Sequence, residues 1–292
     1  ATTASGDYST AMGYQSTASG WYSIAMGYQS TASGSYCTAM GYDTTTSANF
    51  STAMGSFTTA SGINSTAMGY DTKASEYYST AMGMSTTASG NSSTAMGRIT
   101  TAKGWYSTAM GYGTQANGDY AATAMGYRTS ASGDFSIAMG LRTYAIGNKT
   151  TAMGAYTTAS DYASLVVGQY NSSGSSVTNS ATSFSTSNTA FVIGNGADSS
   201  NKSDAFKVMF NGDAYVSNSL YLGGTQINAT ASEINLLSGV TSIGTGVLSP
   251  VTEGGNTGVR LSTVDPLHYG DIGNYAVDLS YSSSGFTAGS TG

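Results

Sequence analysis

Residues 9–20 read S-T-A-M-G-Y-Q-S-T-A-S-G, and close copies of this stretch return along the chain every fourteen residues. The glycine of the A-M-G triplet marks the period. It recurs at Gly13, Gly27, Gly41, Gly55, Gly69, Gly83, Gly97, Gly111, Gly126, Gly140, Gly154 and Gly168, with one extra residue inserted between Gly118 and Gly126. Because an A-S-G triplet lies halfway between these glycines, each repeat has two halves of the form S/T-x-A-x-G-x-x.

Within each half, small and larger residues alternate with a period of two, which is typical of a β-strand. Two short strands and two corners per repeat describe one coil of a parallel β-solenoid, in which successive coils hydrogen-bond at about 4.8 Å. The sequence therefore predicts an all-β fold for residues 1–168. About 12 coils would span roughly 58 Å.

Residue size predicts which side chains point inward. One face of the two strands carries Ser9, Ala11 and Gly13, then Ser16, Ala18 and Gly20, and a coil this thin has room inside for nothing larger. The other face of the first strand carries a methionine in nearly every repeat. This methionine column consists of Met12, Met26, Met40, Met54, Met68, Met82, Met96, Met110, Met125, Met139 and Met153.

An apolar column of this length is unfavourable in water, so it predicts a partner surface. Cyclic closure around an axis parallel to the rod buries the column of every subunit. We expect three chains, which fit a thin coil best. The methionine column would then line the interface of a homotrimer.

Two other surfaces are candidates for ligand binding. Aromatic residues recur at the corners, where Tyr8, Tyr22 and Tyr36 would stack as a ladder that seals the corner or, alternatively, binds sugar. The second strand presents a threonine column, Thr17, Thr31, Thr45 and Thr59, beside a row of serines. This array is similar to the faces of ice-binding β-solenoids, but Lys73 and Lys103 interrupt it, and a plain solvated surface is the simpler interpretation.

The repeated S-T-A-M-G-Y-Q-S-T-A-S-G resembles the head repeat of YadA-type trimeric autotransporter adhesins over residues 1–168. The resemblance implies a left-handed β-roll that trimerises. In that family the position of Met12 and its equivalents usually carries Ile or Val.

After Gly168 the period stops. Residues 169–189 are rich in Ser and Asn and are interpreted as a linker or a crossover. We expect a strand and hairpin module at 190–222, a short helical collar at 223–243 and a β-rich connector at 244–292 that leads to a further repeat. In the collar, Leu236 and Leu237 would face the threefold axis.

Several segments after residue 190 resemble modules of bacteriophage tail fibres and cell-surface fibres. They include V-I-G-N-G at 192–196 and T-A-S-E-I-N-L-L-S-G-V at 230–240. The resemblance implies a modular trimeric fibre, and because the chain starts inside a repeat we expect it to be part of a longer protein.

Composition argues against other classes of protein. Only 8% of residues are charged, the net charge is −6, and no basic cluster suits nucleic acid. The apolar runs are too short to cross a membrane. One cysteine, Cys37, and one histidine, His268, offer little for a metal site or catalysis, so we expect no cofactor and no enzyme activity.

The sequence thus favours a non-enzymatic, homotrimeric fibre segment outside the cell or on a cell or virion surface. Its partners would be its own copies, joined end to end, and a cell-surface or glycan receptor. The alternative is a carbohydrate- or ice-binding β-solenoid.

Overall fold

Two parallel β-sheets run along residues 1–169 in the computed structural model, which describes residues 1–228, 247–253, 256–262, 279–282 and 285–288. Corresponding strands of successive repeats pair in register, as Met68 does with Met82 and Thr59 does with Lys73. Twelve coils of two strands each build the parallel β-solenoid that the repeat predicts. The described residues contain no helix.

The strands of the two sheets alternate along the chain. The smaller sheet consists of β1 (Thr3–Ala4), β3 (Thr17–Ala18), β5 (Thr31–Ala32), β7 (Thr45–Thr46), β9 (Thr59–Ala60), β11 (Lys73–Ala74), β13 (Thr87–Ala88), β15 (Thr101–Ala102), β17 (Gln115–Ala116), β19 (Ser130–Ala131), β21 (Tyr144–Ala145) and β23 (Thr158–Ala159). The larger sheet begins with β2 (Thr10–Tyr14), β4 (Ile24–Tyr28), β6 (Thr38–Tyr42), β8 (Thr52–Ser56), β10 (Thr66–Tyr70), β12 (Thr80–Met84), β14 (Thr94–Arg98), β16 (Thr108–Tyr112), β18 (Thr123–Tyr127), β20 (Ile137–Leu141), β22 (Thr151–Ala155) and β24 (Leu165–Gln169).

Small side chains fill the space between the two sheets. Ala18 and Ala25 have no exposed surface, and the hydroxyl-bearing Ser16 and Thr44 are equally buried. Their predicted inward orientation is therefore confirmed. Val166 and Val192 are also fully buried, in the last coil and in the strand that follows the crossover. An interior of alanine, serine, threonine and these two valines leaves no room for methionine or aromatic side chains, which lie outside.

The glycines of the A-M-G triplets are exposed or nearly so, and the predicted inward position of Gly13 is wrong. Their φ angles are positive, for example +125° at Gly69. A Cβ atom added to Gly69 would lie 2.0 Å from the carbonyl oxygen of Gly83 in the next coil. Glycine is required here because the backbones of successive coils lie directly against each other, and not because the interior is narrow.

A residue in the left-handed region marks each corner of the solenoid, and nearly all of these residues carry side chains. Tyr22 and Gln29, for example, both have a φ of +54°. Their backbone N–H groups donate to the carbonyl oxygens of Asp7 and Tyr14 in the preceding coil, at 2.9 and 2.8 Å. The left-handed conformation costs a non-glycine residue about 1–2 kcal/mol. The hydrogen bond between coils offsets part of that cost.

The single inserted residue is absorbed in one corner. The N–H of Trp105 donates to the carbonyl of Asp119 at 2.9 Å, and the carbonyl of Trp105 accepts from the N–H of Ala121 at 2.7 Å. Beyond this corner the sheet register resumes, with Thr108 paired to Thr123. The insertion therefore leaves the stacking of the strands unchanged.

Residues 171–188 cross the end of the smaller sheet without forming a strand. The buried carboxamide of Asn171 replaces the missing neighbour of β23: its oxygen accepts from the N–H of Thr158 at 2.8 Å, and its nitrogen donates to the Thr158 carbonyl at 2.9 Å. One side chain thus satisfies backbone groups that a further coil would otherwise bind.

Two carboxylates fix the crossover in place. The buried Asp161, which stands where most repeats have glycine, accepts from the N–H and hydroxyl of Thr178 at 2.6 and 2.7 Å and from the N–H of Thr189 at 2.8 Å. Asp204 accepts from the N–H groups of Ser172 and Ser173, both at 2.8 Å. The end of the smaller sheet is therefore capped by side chains.

After the crossover the chain returns to the larger sheet. Strand β25 (Thr189–Asn195) pairs parallel with β24, and β26 (Asp204–Met209) and β27 (Ala214–Val216) follow as antiparallel neighbours. The larger sheet then contains fifteen strands. Residues 190–216 therefore extend the sheet of the solenoid.

By its internal contacts the chain divides into two units, residues 1–220 and 221–292. The described strands of the second unit form antiparallel pairs: β28 (Tyr221–Leu222) with β29 (Thr225–Gln226), β30 (Val247–Glu253) with β31 (Asn256–Ser262), and β32 (Leu279–Ser282) with β33 (Gly285–Ala288). Leu236, Leu237 and His268 lie outside the described residues, so the helical collar stays a prediction.

The glycine column gives the first prediction. We expect Gly69→Ala to destabilise the solenoid by about 4 kcal/mol or more, because the new Cβ would meet a backbone carbonyl and the residue keeps a positive φ. The control is Gly113→Ala, also at positive φ, where the nearest atom to a new Cβ is the side-chain Cγ of Arg128 at 3.3 Å. This change should cost about 1 kcal/mol. Unfolding in guanidinium chloride measures both, and equal losses would contradict the stacking argument.

Cys37 gives the second prediction. The thiol is buried, donates to the carbonyl of Gly34 at 2.7 Å and accepts from the hydroxyl of Thr46 at 3.1 Å. Burial raises the pKa of the Cys37 thiol, so it stays protonated at pH 8, where exposed thiols begin to ionise. We expect no reaction of the native protein with a disulfide reagent at pH 8 and one equivalent after denaturation. Rapid labelling of the native protein would show that the thiol is accessible.

Candidate functional surfaces

The methionine column lies on the outer face of the larger sheet. Its members pair directly, as Met68 does with Met82 and Met82 does with Met96. Met12, at the end of the column, is 53% exposed, whereas the other ten are half-buried because an apolar residue lies in the coil on either side. The structure therefore brings all eleven methionines into one continuous line outside the coil.

The apolar line continues beyond the eleven methionines. Val167 pairs with Met153 on one side and with Ile193 on the other, and Ile193 remains 37% exposed. The signal was present in the sequence, where V-V-G at 166–168 and V-I-G at 192–194 replace A-M-G. The break in the period after Gly168 concealed it.

The face that carries the methionine column is almost uncharged. Among the twelve longer strands from β2 to β24, Arg98 is the single charged residue. Threonine or isoleucine precedes most of the methionines by two residues, and tyrosine often follows at the same distance, as Thr38 and Tyr42 flank Met40. Such a face can be buried against another apolar surface without desolvating charge.

The aromatic corner places the three proposed tyrosines in one stack. The ring centroids of Tyr8 and Tyr22 lie 4.7 Å apart, those of Tyr22 and Tyr36 lie 5.1 Å apart, and Phe50 extends the stack at 5.3 Å. Asn64 then ends it. Tyr22 and Tyr36 are covered on both ring faces by their neighbours, whereas Tyr8, at the end of the stack, is 75% exposed. Because a sugar packs its C–H groups on a ring face, this ladder suits sealing of the corner better than binding.

The threonine column is unbroken over five coils, from Thr3 to Thr59. Thr17, Thr31, Thr45 and Thr59 pair in register and are half-buried. Larger side chains then appear on the same face of the smaller sheet at Lys73, Lys103, Gln115 and Tyr144. The flat hydroxyl surface is therefore short.

Groups that could carry catalysis or bind metal are scarce in the part of the chain that the structure describes. Its residues contain no cluster of three metal-ligating side chains. Gly111 and Gly113 lie at a corner, Gly194 lies within β25 and Gly196 follows it, so neither pair opens a helix that could cradle a phosphate. Within the same ranges no helix is long and apolar enough to span a membrane.

The threonine column gives the third prediction. We expect the purified protein to show no thermal hysteresis above that of serum albumin at equal concentration, because its hydroxyl array ends at Lys73. Osmometry on single ice crystals measures this. A hysteresis that disappears in the double variant Thr45→Tyr, Thr59→Tyr would contradict the prediction and assign the column to ice binding.

Comparison with known proteins supports the interpretation of the repeat. The YadA head domain repeat matches eight overlapping or adjacent segments of the chain: residues 4–30, 22–36, 32–58, 60–86, 77–98, 88–114, 102–122 and 120–143. A search of curated proteins found no match. The last coils, up to residue 169, have the same strand pairing although the matches end earlier. Residues 4–143 thus carry YadA head domain repeats, folded as a parallel β-solenoid.

Proposed function

We propose that this protein is a non-enzymatic fibre that acts outside the cell, on a cell or virion surface, as a homotrimer that spans distance and presents an attachment surface. The observation that supports it most directly is the unbroken apolar line from Met12 to Ile193 on an almost uncharged face. The YadA head domain repeats favour the same function.

The apolar line favours association because burial of a methionine side chain contributes about 1.5–3 kcal/mol relative to exposure. The ten methionines after Met12 are already half-buried within the chain, so each would gain a part of this value on assembly. Thirteen aligned residues from Met12 to Ile193 add such contributions, which oppose a cost of association of about 4–15 kcal/mol.

Cyclic symmetry follows from the shape of this surface. A straight apolar line on one side of a rod is buried completely when identical rods surround a parallel axis with their lines facing inward. Three chains suit a coil with one narrow apolar face, because each face then meets two neighbours. The smaller sheet would remain outside, open to solvent and to partners.

The later segments would continue the fibre. Leu236 and Leu237, in the proposed helical collar of residues 223–243, would meet their copies at the same axis. The tail-fibre-like segments would then connect the solenoid to the next module. This part of the proposal rests on the resemblance of the sequence.

The fourth prediction tests the interface. We expect the double variant Met68→Asp, Met82→Asp to lose the trimer, because charges of the same sign from three chains would surround one axis. Size-exclusion chromatography with light scattering should give three times the mass of one chain for the unchanged protein and another mass for the variant. Circular dichroism would establish that the strands of the variant still form, as expected for side chains on the outside of the coil.

Two controls accompany this variant. The pair Ser61→Asp, Ser75→Asp adds the same charge on the smaller sheet and should leave the trimer intact. The pair Met68→Leu, Met82→Leu keeps the face apolar and should also preserve it. A stable trimer of the Met→Asp variant would overturn the proposed interface.

A further inference from the structure

A notch of about 350 Å³ opens at the corner between the two sheets, near the middle of the solenoid. Its lining includes Tyr112 and Gly113 from the corner and Gln115, Ser130 and Tyr144 from the smaller sheet. Arg128 contributes to its wall. This volume lies at the lower end of the range of small-molecule sites.

The notch exists because one corner lacks a side chain. Gly113 occupies the left-handed position, with a φ of +64°, where the coils before and after it carry Ile99 and Arg128. The corresponding residue of every other coil also carries a side chain, from Gln15 to Tyr170. The side chain of Arg128 leans over Gly113, with its Cγ 3.3 Å from where a Cβ atom would lie, and the notch remains between this side chain and Ile99.

Departures from the repeat converge on this gap. Along the smaller sheet the position of Thr17 is threonine in most coils, and the departures are Lys73, Gln115, Ser130 and Tyr144. Three of these four line the notch. Stacking of the coils requires none of them, since threonine serves at the same position elsewhere. The glycine and its altered neighbours thus form one local feature in a regular rod.

The lining combines an aromatic wall with polar groups that suit a sugar. Tyr144 is 42% exposed, so part of its ring is open to solvent. The Oε1 atom of Gln115 accepts from Asn117 and the hydroxyl of Ser130 bonds that of Ser132, both at 3.1 Å. The Nε2 group of Gln115 can donate to a sugar hydroxyl, and the Ser130 hydroxyl can exchange its partner for one. The guanidinium of Arg128 lies over the ring of Tyr127, with its Cζ atom 5.5 Å from the ring centre. The N–H groups at its edge can still bind a carboxylate in a bidentate manner.

The charge of the residues around the notch favours an acidic ligand over a neutral one. Arg128 and Arg142 hold the same corner position in successive coils, and Arg98 ends strand β14, where it pairs with Tyr112 of the next coil. The nearest acidic residues of these coils, Asp119 and Asp134, lie at the opposite corner. A protein with a net charge of −6 therefore presents a positive strip beside the notch.

We propose that this notch binds an acidic saccharide, a pyranose unit that carries a carboxylate. The C–H face of the ring packs against Tyr144, the hydroxyl groups bind Gln115 and Ser130, and the carboxylate binds Arg128. The site lies on the smaller sheet and its corner, away from the methionine column. It goes beyond the proposed fibre function and does not depend on the trimer.

The experiment compares two sugars that differ in one group. Methyl glucuronide and methyl glucoside share the same ring, but the first carries a carboxylate where the second carries a hydroxymethyl group. We expect ligand-observed NMR with the full chain to show glucuronide binding at least tenfold tighter than glucoside binding, and weaker binding in 0.5 M NaCl. Absence of glucuronide binding, or equal binding of both sugars, would overturn the proposal.

Three variants locate the site. Tyr144→Thr introduces the residue that most coils have at this position, Arg128→Met removes the charge, and Gly113→Asn fills the gap with a residue that adopts a positive φ, as Asn64 does at the opposite corner. Each should lower glucuronide affinity at least tenfold. As the matched control, Lys149→Met removes one positive charge at the opposite corner and should change affinity less than twofold. Binding that survives all three variants would place the sugar elsewhere and reject the notch.

Discussion

Direct contact between the backbones of successive coils is the constraint on which the whole solenoid depends. At the A-M-G glycines the carbonyl oxygen of the next coil lies where a Cβ atom would be, 2.0 Å away at Gly69. The A-S-G column is less strict, because Ala48, Glu76 and Asp161 replace its glycine. The A-M-G column, in contrast, has glycine in all twelve coils and again at Gly194. This glycine column therefore sets the spacing between coils, and the columns of methionine, threonine and aromatic residues form at that spacing.

The interior of so thin a coil contains little apolar surface. The stability that burial inside one chain can provide is therefore limited. The core consists largely of alanine, and among the described residues thirteen buried hydroxyls, Thr58 and Thr72 among them, have no hydrogen-bond partner. Burial of side chains inside one chain thus contributes modestly to its stability. The backbone N–H and C=O groups of nearly every strand are hydrogen-bonded to the neighbouring coils. Larger apolar side chains are excluded from the interior and gather on the outer face as the methionine column. The same constraint that orders the coil thereby produces the surface that favours assembly.

The repeat predicted the number of coils, the two sheets, the inward alanines and the inserted residue, because strand alternation and period follow directly from sequence. It misplaced Gly13, since alternation assumes ordinary strand geometry and takes no account of a positive φ. It also gave no sign that Tyr22 adopts the left-handed conformation, which tyrosine rarely does without a compensating hydrogen bond. The notch could not be predicted from the sequence for another reason. Gly113 and Tyr144 are thirty-one positions apart, and only the stacking of coils brings them together.

In a solenoid of this regularity, a residue that differs from its equivalents is more informative than one that matches them. The consensus glycine, alanine and serine are explained by stacking, and the methionine by its place on the outer face. Asp161 and Asn171 depart from the repeat where the coils end, and their hydrogen bonds to the crossover and to Thr158 account for both. Tyr144 departs from the threonine of most coils in the middle of the rod, where the sheet has no edge to cap. The corner position of Arg128 has no consensus, and Gly113 is unusual there because it lacks a side chain. Stacking of the coils does not account for Tyr144 or Gly113, whereas a ligand in the proposed notch would.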